Sequence, residues 1–272
     1  MTIEQLKKRK HLLDSLLILM ILVGISVFVI GIFVQWLMII LALILLLAIP
    51  IQKAYQKLNL EFKKVHVKQM IESIIPGLIF IPEKGFDADF VFQSEVLKKY
   101  TRFKSEDYLS GTLNGKNFES ADVLITQVVS TGKSSTEITR FLGRLFVVDF
   151  NKKFEHDVYL STDGNHTPGN KHNLLKIKTE SIEFNKKFKI YSESEHSAFY
   201  LLTPKFMEHI DRFSDIAKHV MLAFKKDKIF IAVYTERDAF NLKFWDTIDD
   251  NYIENVKIEL KLLEDLIEFV PK

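Results

Sequence analysis

Four short stretches of the chain hold residues whose types and spacing could support chemistry, and the first is Gly132, Lys133 and Ser134. It resembles the end of a phosphate-binding loop, whose glycines let backbone N–H groups cradle a phosphate. That motif needs its first glycine at position 127, where this chain has Gln127. No strand, loop and long helix follow in the required order. We therefore interpret the segment as the polar tip of a hairpin.

The second stretch is rich in possible metal ligands, which are the imidazoles and carboxylates of His156, Asp157, Asp163, His166 and His172. Neither His-x-x-x-His nor any other spacing that fixes two of these ligands on one helix face occurs. Glycine and proline interrupt the segment, as is typical of a loop. The pattern favours a solvated loop over a metal site.

The third stretch contains the residue types of a hydrolase triad, in Ser192, Glu193, Ser194, Glu195 and His196. Serine, histidine and acid this close in sequence rarely converge in space. Acids are favourable near the positive end of a helix dipole, so we interpret Glu193–Glu195 as a helix N-terminus.

Glu106 and Asp107 form a pair of adjacent carboxylates, which could divide acid and base roles if their pKa values were pushed apart. On an extended segment, however, neighbouring side chains point to opposite faces. A turn before Gly111, capped by one of the acids, is the simpler account. From these patterns we predict no catalytic, cofactor-binding or metal-binding residue, and no cofactor.

The element that organises the chain is Ser15–Ile51, where Gln35 is the one strongly polar side chain and no charge occurs. As a single helix it would be roughly 55 Å long, against roughly 30 Å for a bilayer core. We therefore predict two transmembrane helices, at about 12–32 and 36–51, with the turn near Gln35 and with Trp36 at the headgroup level. A signal peptide is the alternative, but the apolar run is too long and lacks a small-residue cleavage site.

Charge is concentrated beside this segment. Residues 1–64 hold eight lysines and arginines against three acids, a charge of +5 within a total of +2, so the remainder carries −3. The positive-inside bias predicts a multi-pass protein of the cytoplasmic membrane with both termini inside. The basic flanks suit a lipid bilayer with anionic headgroups as a partner, and the acidic remainder argues against nucleic acid. The absence of cysteine excludes disulfides and thiolate chemistry.

Beyond the membrane segment, apolar periodicity predicts strands and helices in clusters, with no internal repeat. The predicted strands cover 108–113, 118–129, 139–150, 158–161, 174–177, 187–191, 221–224 and 229–234. The predicted helices cover 94–100, 203–213 and 252–269. Clustering of this kind predicts an α+β fold with an antiparallel sheet. The predicted core includes Phe141, Leu145, Phe184, Phe188, Phe206, Phe224 and Phe230.

Three domains follow from this pattern: a membrane anchor at 1–51, an amphipathic linker helix at 52–75, and a cytosolic α+β domain at 76–272. The linker stripe comprises Ala54, Leu58, Phe62, Val65, Met70 and Ile74. A division of the cytosolic part into two lobes, with its boundary in Thr162–Asn173, stays open.

Four segments resemble a bacterial family known as domain of unknown function 3137 (DUF3137). These segments are Phe103–Gly111, Phe141–Val148, Ile182–Tyr191 and Ala198–Glu208. The resemblance covers about Phe62 to Val270 and implies two membrane spans before it. It implies architecture and no activity, because the family brings no substrate, cofactor or catalytic residue.

Two function classes remain. The preferred one is a membrane-tethered cytosolic binding or scaffold domain with a protein partner. On this interpretation the chain is a binding module and not an enzyme. The alternative is a membrane-bound hydrolase whose acids and histidines meet only in the fold. Ionisable residues converging in a cleft, such as Asp107 beside His156 or His196, would favour the hydrolase. Transport is disfavoured because the spans carry no charge.

Overall fold

The computed structural model describes residues 2–31, 37–130, 132, 134–150, 152–162, 174–214, 218–236, 238, 240–242, 257–258 and 261. The chain divides into two compact units. The first comprises residues 1–70 with 240–254, and the second comprises residues 71–239 with 255–272. Each unit is described in turn.

The first 74 residues are mostly helical. The helices are α1 (Ile3–Gly31), α2 (Leu37–Leu46), α3 (Ala48–Phe62) and α4 (Lys68–Ile74), with a π-helical turn at Lys63–Val67. Two helical stretches, Ile3–Ile30 and Ile39–Ile74, are long and apolar enough to span a membrane by length and composition. The predicted turn around Gln35 and Trp36 lies outside the described residues.

The helix α1 runs antiparallel to α2 and α3. A Cβ added at Gly24 would lie 3.9 Å from the Leu41 side chain, at ordinary van der Waals distance, so Gly24 faces α2. Nearer the start of the chain, the Arg9 guanidinium lies 3.6 Å from the Glu61 carboxylate. Because later residues of one helix face earlier residues of the other, the predicted helical hairpin is present.

Pro50 causes a break between α2 and α3. Its ring removes the hydrogen bond that residue 50 would donate to the Leu46 carbonyl, and clashes with that carbonyl. Accordingly α2 ends at Leu46, and the Leu47 N–H bonds back to Ile44 at 3.0 Å in a tighter turn. The helix then resumes at once, as the sequence predicts.

The π-helical turn shifts the apolar stripe of the linker helix. Leu58 and Phe62 are buried as predicted, but the next buried side chains are Val67 and Ile71, while Val65 is exposed. A π-helix carries more residues per turn than an α-helix, so a spacing of five between Phe62 and Val67 keeps both on one face. The predicted stripe is therefore wrong beyond Phe62.

The second unit is built on one nine-stranded antiparallel sheet, whose strand order is β1-β2-β3-β4-β9-β8-β5-β7-β6. The strands are β1 (Ile79–Ile81), β2 (Arg102–Leu113), β3 (Lys116–Ser130), β4 (Ser135–Asp149), β5 (Val158–Ser161), β6 (Leu175–Ile177), β7 (Lys189–Ser192), β8 (His219–Lys225) and β9 (Lys228–Tyr234). The helices are α5 (Ala88–Gln93), α6 (Ile182–Lys187), α7 (Glu195–Leu201) and α8 (Pro204–Ser214). The predicted α+β class with an antiparallel sheet is confirmed.

Both faces of the sheet are buried. On one face Phe230 packs against Phe90 of α5, with ring centroids 5.6 Å apart. On the other, Phe224 packs against Phe206 of α8 at 5.6 Å. All seven predicted core residues are buried. Covering both faces explains why several strands are apolar along their whole length instead of alternating.

Turn and cap chemistry explains several element boundaries. Asn114 and Gly115 both have positive φ and close the β2–β3 hairpin, as predicted. Thr203 caps α8, because its Oγ1 accepts a hydrogen bond from the Phe206 N–H at 3.2 Å. The predicted helix at Tyr252–Phe269 lies largely outside the described residues. Its three described residues, Lys257, Ile258 and Lys261, are helical.

The predicted helix at Ser94–Tyr100 is wrong. The helix in this region is α5, and Asp87 caps it, because its Oδ1 accepts from the Asp89 N–H at 2.8 Å. Ser94 lies at the other end, where its hydroxyl donates to the Val91 carbonyl at 2.6 Å. Glu95 has a φ of 60°, which an α-helix does not accommodate.

Candidate functional site

The pairing of β5 with β7 assembles the candidate site. These strands are antiparallel, and Val158 lies opposite Ser192. The chain therefore enters β5 and leaves β7 at the same end of the sheet. Residues 150–157 and residues 193–201, which are some forty positions apart in sequence, consequently meet there.

The segment before β5 is fixed to the turn between β8 and β9. The Phe150 N–H donates to the Asp227 carbonyl at 2.8 Å, and the Phe154 N–H donates to the Lys226 carbonyl at 2.6 Å. The two phenyl rings stack, with centroids 4.7 Å apart. Phe154 also meets the core residue Phe224 edge to face at 5.5 Å. The stacked pair is thus anchored in the sheet core.

The helix α7 forms the opposite side. Ser194 caps it by accepting from the Ser197 N–H at 3.3 Å, and Ala198 and Leu201 are buried beneath it. Burial of these two side chains fixes the rotation of the helix. Residues at spacings of three and four on another face, including Ser197 and Tyr200, then line the site.

Together these segments enclose a cleft of about 260 Å³. It is lined by Phe150, Lys152, Lys153, Phe154, Glu155, His156, His196, Ser197, Tyr200 and Leu201. The set combines aromatic rings with four side chains that can carry positive charge and one carboxylate. Such a cleft suits a ligand with a negative group and an apolar or planar body.

One acid contacts an imidazole of the cleft. His156 Nδ1 lies 3.4 Å from the Glu193 carboxylate, and both side chains are substantially exposed. The two serines of the triad-like stretch have structural roles, since Ser192 donates to the Asp157 carbonyl at 2.8 Å and Ser194 caps α7. Ser197, which sequence reasoning missed, is the serine that lines the cleft.

Asp157 belongs to a neighbouring network instead of the cleft. The Tyr159 hydroxyl donates to Glu95 at 2.6 Å, and Lys225 Nζ lies 3.0 Å from Glu95 and 3.3 Å from Asp157. Burial would raise the pKa of Glu95, but the hydrogen bonds from Tyr159 and Lys225 lower it further than burial raises it. Burial and the bond to Glu95 raise the pKa of Tyr159. The network joins the segment after α5 to β5 and β8.

Gly132 is not among the residues that line the cleft. Gly132 has a φ of 83° between β3 and β4, whose ends pair through Ser130 and Ser135. This location agrees with a hairpin tip. Asp163, His166 and His172 lie outside the described residues.

Glu106 and Asp107 lie at a bulge of β2 and are joined by a third acid that sequence reasoning missed, Asp238. Their carboxylate oxygens lie within 4.8 Å of one another, and oxygen ligands of this kind suit Mg²⁺ or Ca²⁺. Positive charge already surrounds the group. Lys104 Nζ is 2.7 Å from Glu106, and the buried Arg144 guanidinium donates to the Asp107 carbonyl at 2.7 Å.

Residues 139–272 match the family described as "Protein of unknown function (DUF3137)". This matching segment is called the DUF3137 domain. This match confirms the family resemblance for three of the four motif segments, whereas Phe103–Gly111 lies outside the matched residues. Every residue that lines the cleft lies within the DUF3137 domain, whereas Glu106 and Asp107 precede it.

No curated protein matches the chain significantly. Among solved structures, it is similar to the crystal structure of the mycobacterial trehalose monomycolate transport factor A, TtfA. That similarity has 10% sequence identity and a TM-score of 0.40, over 75% of this chain and 93% of the other. At this level, nothing about the activity of the DUF3137 domain follows from it.

Sequence reasoning missed the aromatic and lysine residues of the cleft, although one signal was present. The pentapeptide Phe-Asn-Lys-Lys-Phe occurs twice, at 150–154 and at 184–188. In both copies the two phenyl rings stack, at 4.7 and 4.4 Å. The second pair is buried, and the first lines the cleft.

Proposed function

We propose that the chain is a membrane-tethered binding protein, in which the helical hairpin is the anchor and the cleft of the DUF3137 domain is the binding site. The cleft supports the binding role most directly, because it joins apolar surface to converging polar groups, which is the usual composition of a ligand site. We expect a protein and the lipid bilayer as its binding partners, and we do not expect nucleic acid.

The hairpin supports the membrane role. The contact between Arg9 and Glu61 brings the basic stretch Lys7–Lys10 to the same end of the hairpin as Lys57. Between these flanks the exposed side chains of α1 and α2 are almost all apolar. Basic residues at one end only are typical of a hairpin whose ends both lie in the cytoplasm.

Labelling of single cysteines tests the anchor, because the natural chain has none. We expect Lys99→Cys, at an exposed position of the second unit, to react with a membrane-impermeant maleimide only after the cells are lysed. Labelling of intact cells would refute the cytoplasmic orientation. Release of the protein by carbonate washing would refute the anchor itself.

A charge-reversal pair tests the binding site. Lys152→Glu with Lys153→Glu inverts the charge of the cleft at two exposed positions. Lys98→Glu with Lys99→Glu makes the same change at another exposed pair of adjacent lysines. We expect partners crosslinked to the full chain in cells to be lost with the first pair and kept with the second. Equal loss, or no loss, would refute the cleft as the binding site.

A hydrolase is the second candidate, because His156 lies beside Glu193 in the cleft that Ser197 also lines. An acid that orients an imidazole next to a serine is the arrangement of a nucleophilic hydrolase. Within the described residues, however, the Ser197 hydroxyl makes no hydrogen bond to either imidazole. Ester or phosphate hydrolysis abolished by both Ser197→Ala and His156→Gln would favour this candidate over binding.

A further inference from the structure

The size of the cleft limits what it can hold. Its volume of about 260 Å³ lies near the lower end of the range for small-molecule sites, roughly 300–1,000 Å³. A folded partner would contact a larger surface, of which the cleft can form only a part. The cleft therefore suits a small molecule.

The lysines of the cleft indicate the charge of that molecule. Lys152 and Lys153 are exposed neighbours, and within the part of the chain that the structure describes neither forms an ion pair. In the second copy of the pentapeptide, by contrast, Lys187 lies 2.8 Å from the Asp211 carboxylate. The lysines of the first copy thus remain available for an anion, and lysine is a common ligand of phosphate.

The two imidazoles of the cleft also favour a negatively charged ligand. His156 and His196 line the cleft with the lysines and can donate hydrogen bonds to an oxyanion. Glu155 is the one acid of the lining. A phosphomonoester carries a charge of about −1.5 to −2 at neutral pH, which complements this excess of cationic groups.

The aromatic residues indicate the rest of the ligand. Tyr200 lines the cleft and is 67% exposed, so its ring is accessible to a ligand. Across the cleft, the stacked rings of Phe150 and Phe154 are held by the backbone hydrogen bonds to the β8–β9 turn. A planar group could pack against the phenylalanine pair at little entropic cost, because those two rings are already held in place.

We propose that the cleft binds a small phosphomonoester that carries a planar ring, with its phosphate on Lys152, Lys153 and the two imidazoles and its ring against Tyr200 and the phenylalanine pair. This inference rests on the proposed function, since it names the ligand class of the same site. The chemistry is that of a nucleoside monophosphate or an aryl phosphate.

Calorimetric titration of the full-length protein in detergent micelles tests the ligand class. The probes are AMP and phenyl phosphate. Adenosine and inorganic phosphate, the two parts of AMP, are titrated separately for comparison. We expect at least one phosphomonoester to bind about tenfold or more tightly than either half, which corresponds to ~1.4 kcal/mol. The proposal is overturned if neither phosphomonoester binds more tightly than inorganic phosphate.

Variants then locate the binding. Lys152→Gln with Lys153→Gln should weaken the phosphomonoester about tenfold or more, whereas Lys98→Gln with Lys99→Gln should leave its affinity unchanged. Tyr200→Ala should weaken the phosphomonoester and leave inorganic phosphate unaffected. Equal losses from both lysine pairs would overturn the proposal, because they would indicate attraction to general surface charge.

The two proposals fail in different ways. If neither phosphomonoester binds while crosslinked partners are still lost on charge reversal in the cleft, the ligand class is wrong and the binding function stands. If both results are negative, the cleft is not the site. Release of inorganic phosphate from the probes during the titration would overturn the binding proposals in favour of the hydrolase.

Discussion

Replacement of Arg144 by methionine should destabilise the domain more than any other single change of a charged residue on β4. The guanidinium is buried and donates hydrogen bonds to Ser120 Oγ at 3.2 Å, to Asp122 Oδ1 at 2.8 Å and to the Asp107 carbonyl at 2.7 Å. Asp122 is directly opposite Arg144 on β3, and both side chains are less than one-tenth exposed.

Removing one member of a buried ion pair leaves the other charge uncompensated and costs about 3–5 kcal/mol. For a chain of 150–250 residues, each kcal/mol lowers the melting temperature by about 2–4 °C. We therefore expect Arg144→Met to lower it by roughly 6–20 °C. Thermal unfolding of the full chain in detergent, followed by circular dichroism in the near ultraviolet, measures this change.

Arg140→Met is the matched control, because Arg140 is on the same strand but is exposed and bonds to Gln127. It should cost no more than about 1 kcal/mol. Replacing both charges, in Arg144→Met with Asp122→Leu, should recover part of the loss, since apolar substitutes for a buried pair are often tolerated. A cost below about 1 kcal/mol for Arg144→Met, or no recovery in the double variant, would refute the role assigned to the pair.

Phe188→Ala should lower the free energy of unfolding by about 3–5 kcal/mol, because the ring is buried. Ile182→Ala, at a position that is 71% exposed, should change the melting temperature little. Similar effects of the two changes would mean that the assignment of Phe188 to the core is wrong. The pKa of Glu95 is lowered in the folded protein, so its ionised carboxylate stabilises the fold above about pH 4.5, and this contribution disappears as the pH falls through the pKa of the folded state. In Glu95→Gln the melting temperature should therefore fall less steeply below about pH 4.5. Gly143→Ala should prevent normal pairing of β4 with β9, because a Cβ there would lie 1.9 Å from a carbonyl oxygen, and soluble expression of this variant at wild-type levels would contradict that.

Much of the fold follows from local signals in the sequence. The Asn114-Gly115 turn, the Thr203 cap followed by Pro204 and the break before Pro50 each depend on side chains within about four residues of the backbone they control. All three features are present in the structure. The apolar periodicity likewise identifies eight of the nine strands, and the three-residue strand β1 is the one it misses.

The errors have equally local causes. Both Asp87 and Ser94 are suitable N-cap residues in the sequence, and Asp87 is the one that caps a helix, α5. The positive φ of Glu95 excludes a helix that begins at Ser94. The stripe of the linker helix fails at Phe62 because a single π-helical turn changes the period. Neither event alters composition or average periodicity, so neither can be detected by counting apolar spacings.

The candidate site could not be predicted because strand pairing, and not sequence proximity, determines it. His156 precedes β5 and Glu193 follows β7, and they meet only because Val158 lies opposite Ser192 in the sheet. A shift of this register by two residues would keep every side chain on its own face of the sheet but would move the two groups apart by about 6–7 Å. Inserting two residues at the start of β7 should therefore disperse the cleft while leaving the core alternation intact. If such an insertion preserved phosphomonoester affinity at the wild-type level, the register would not be what assembles the site.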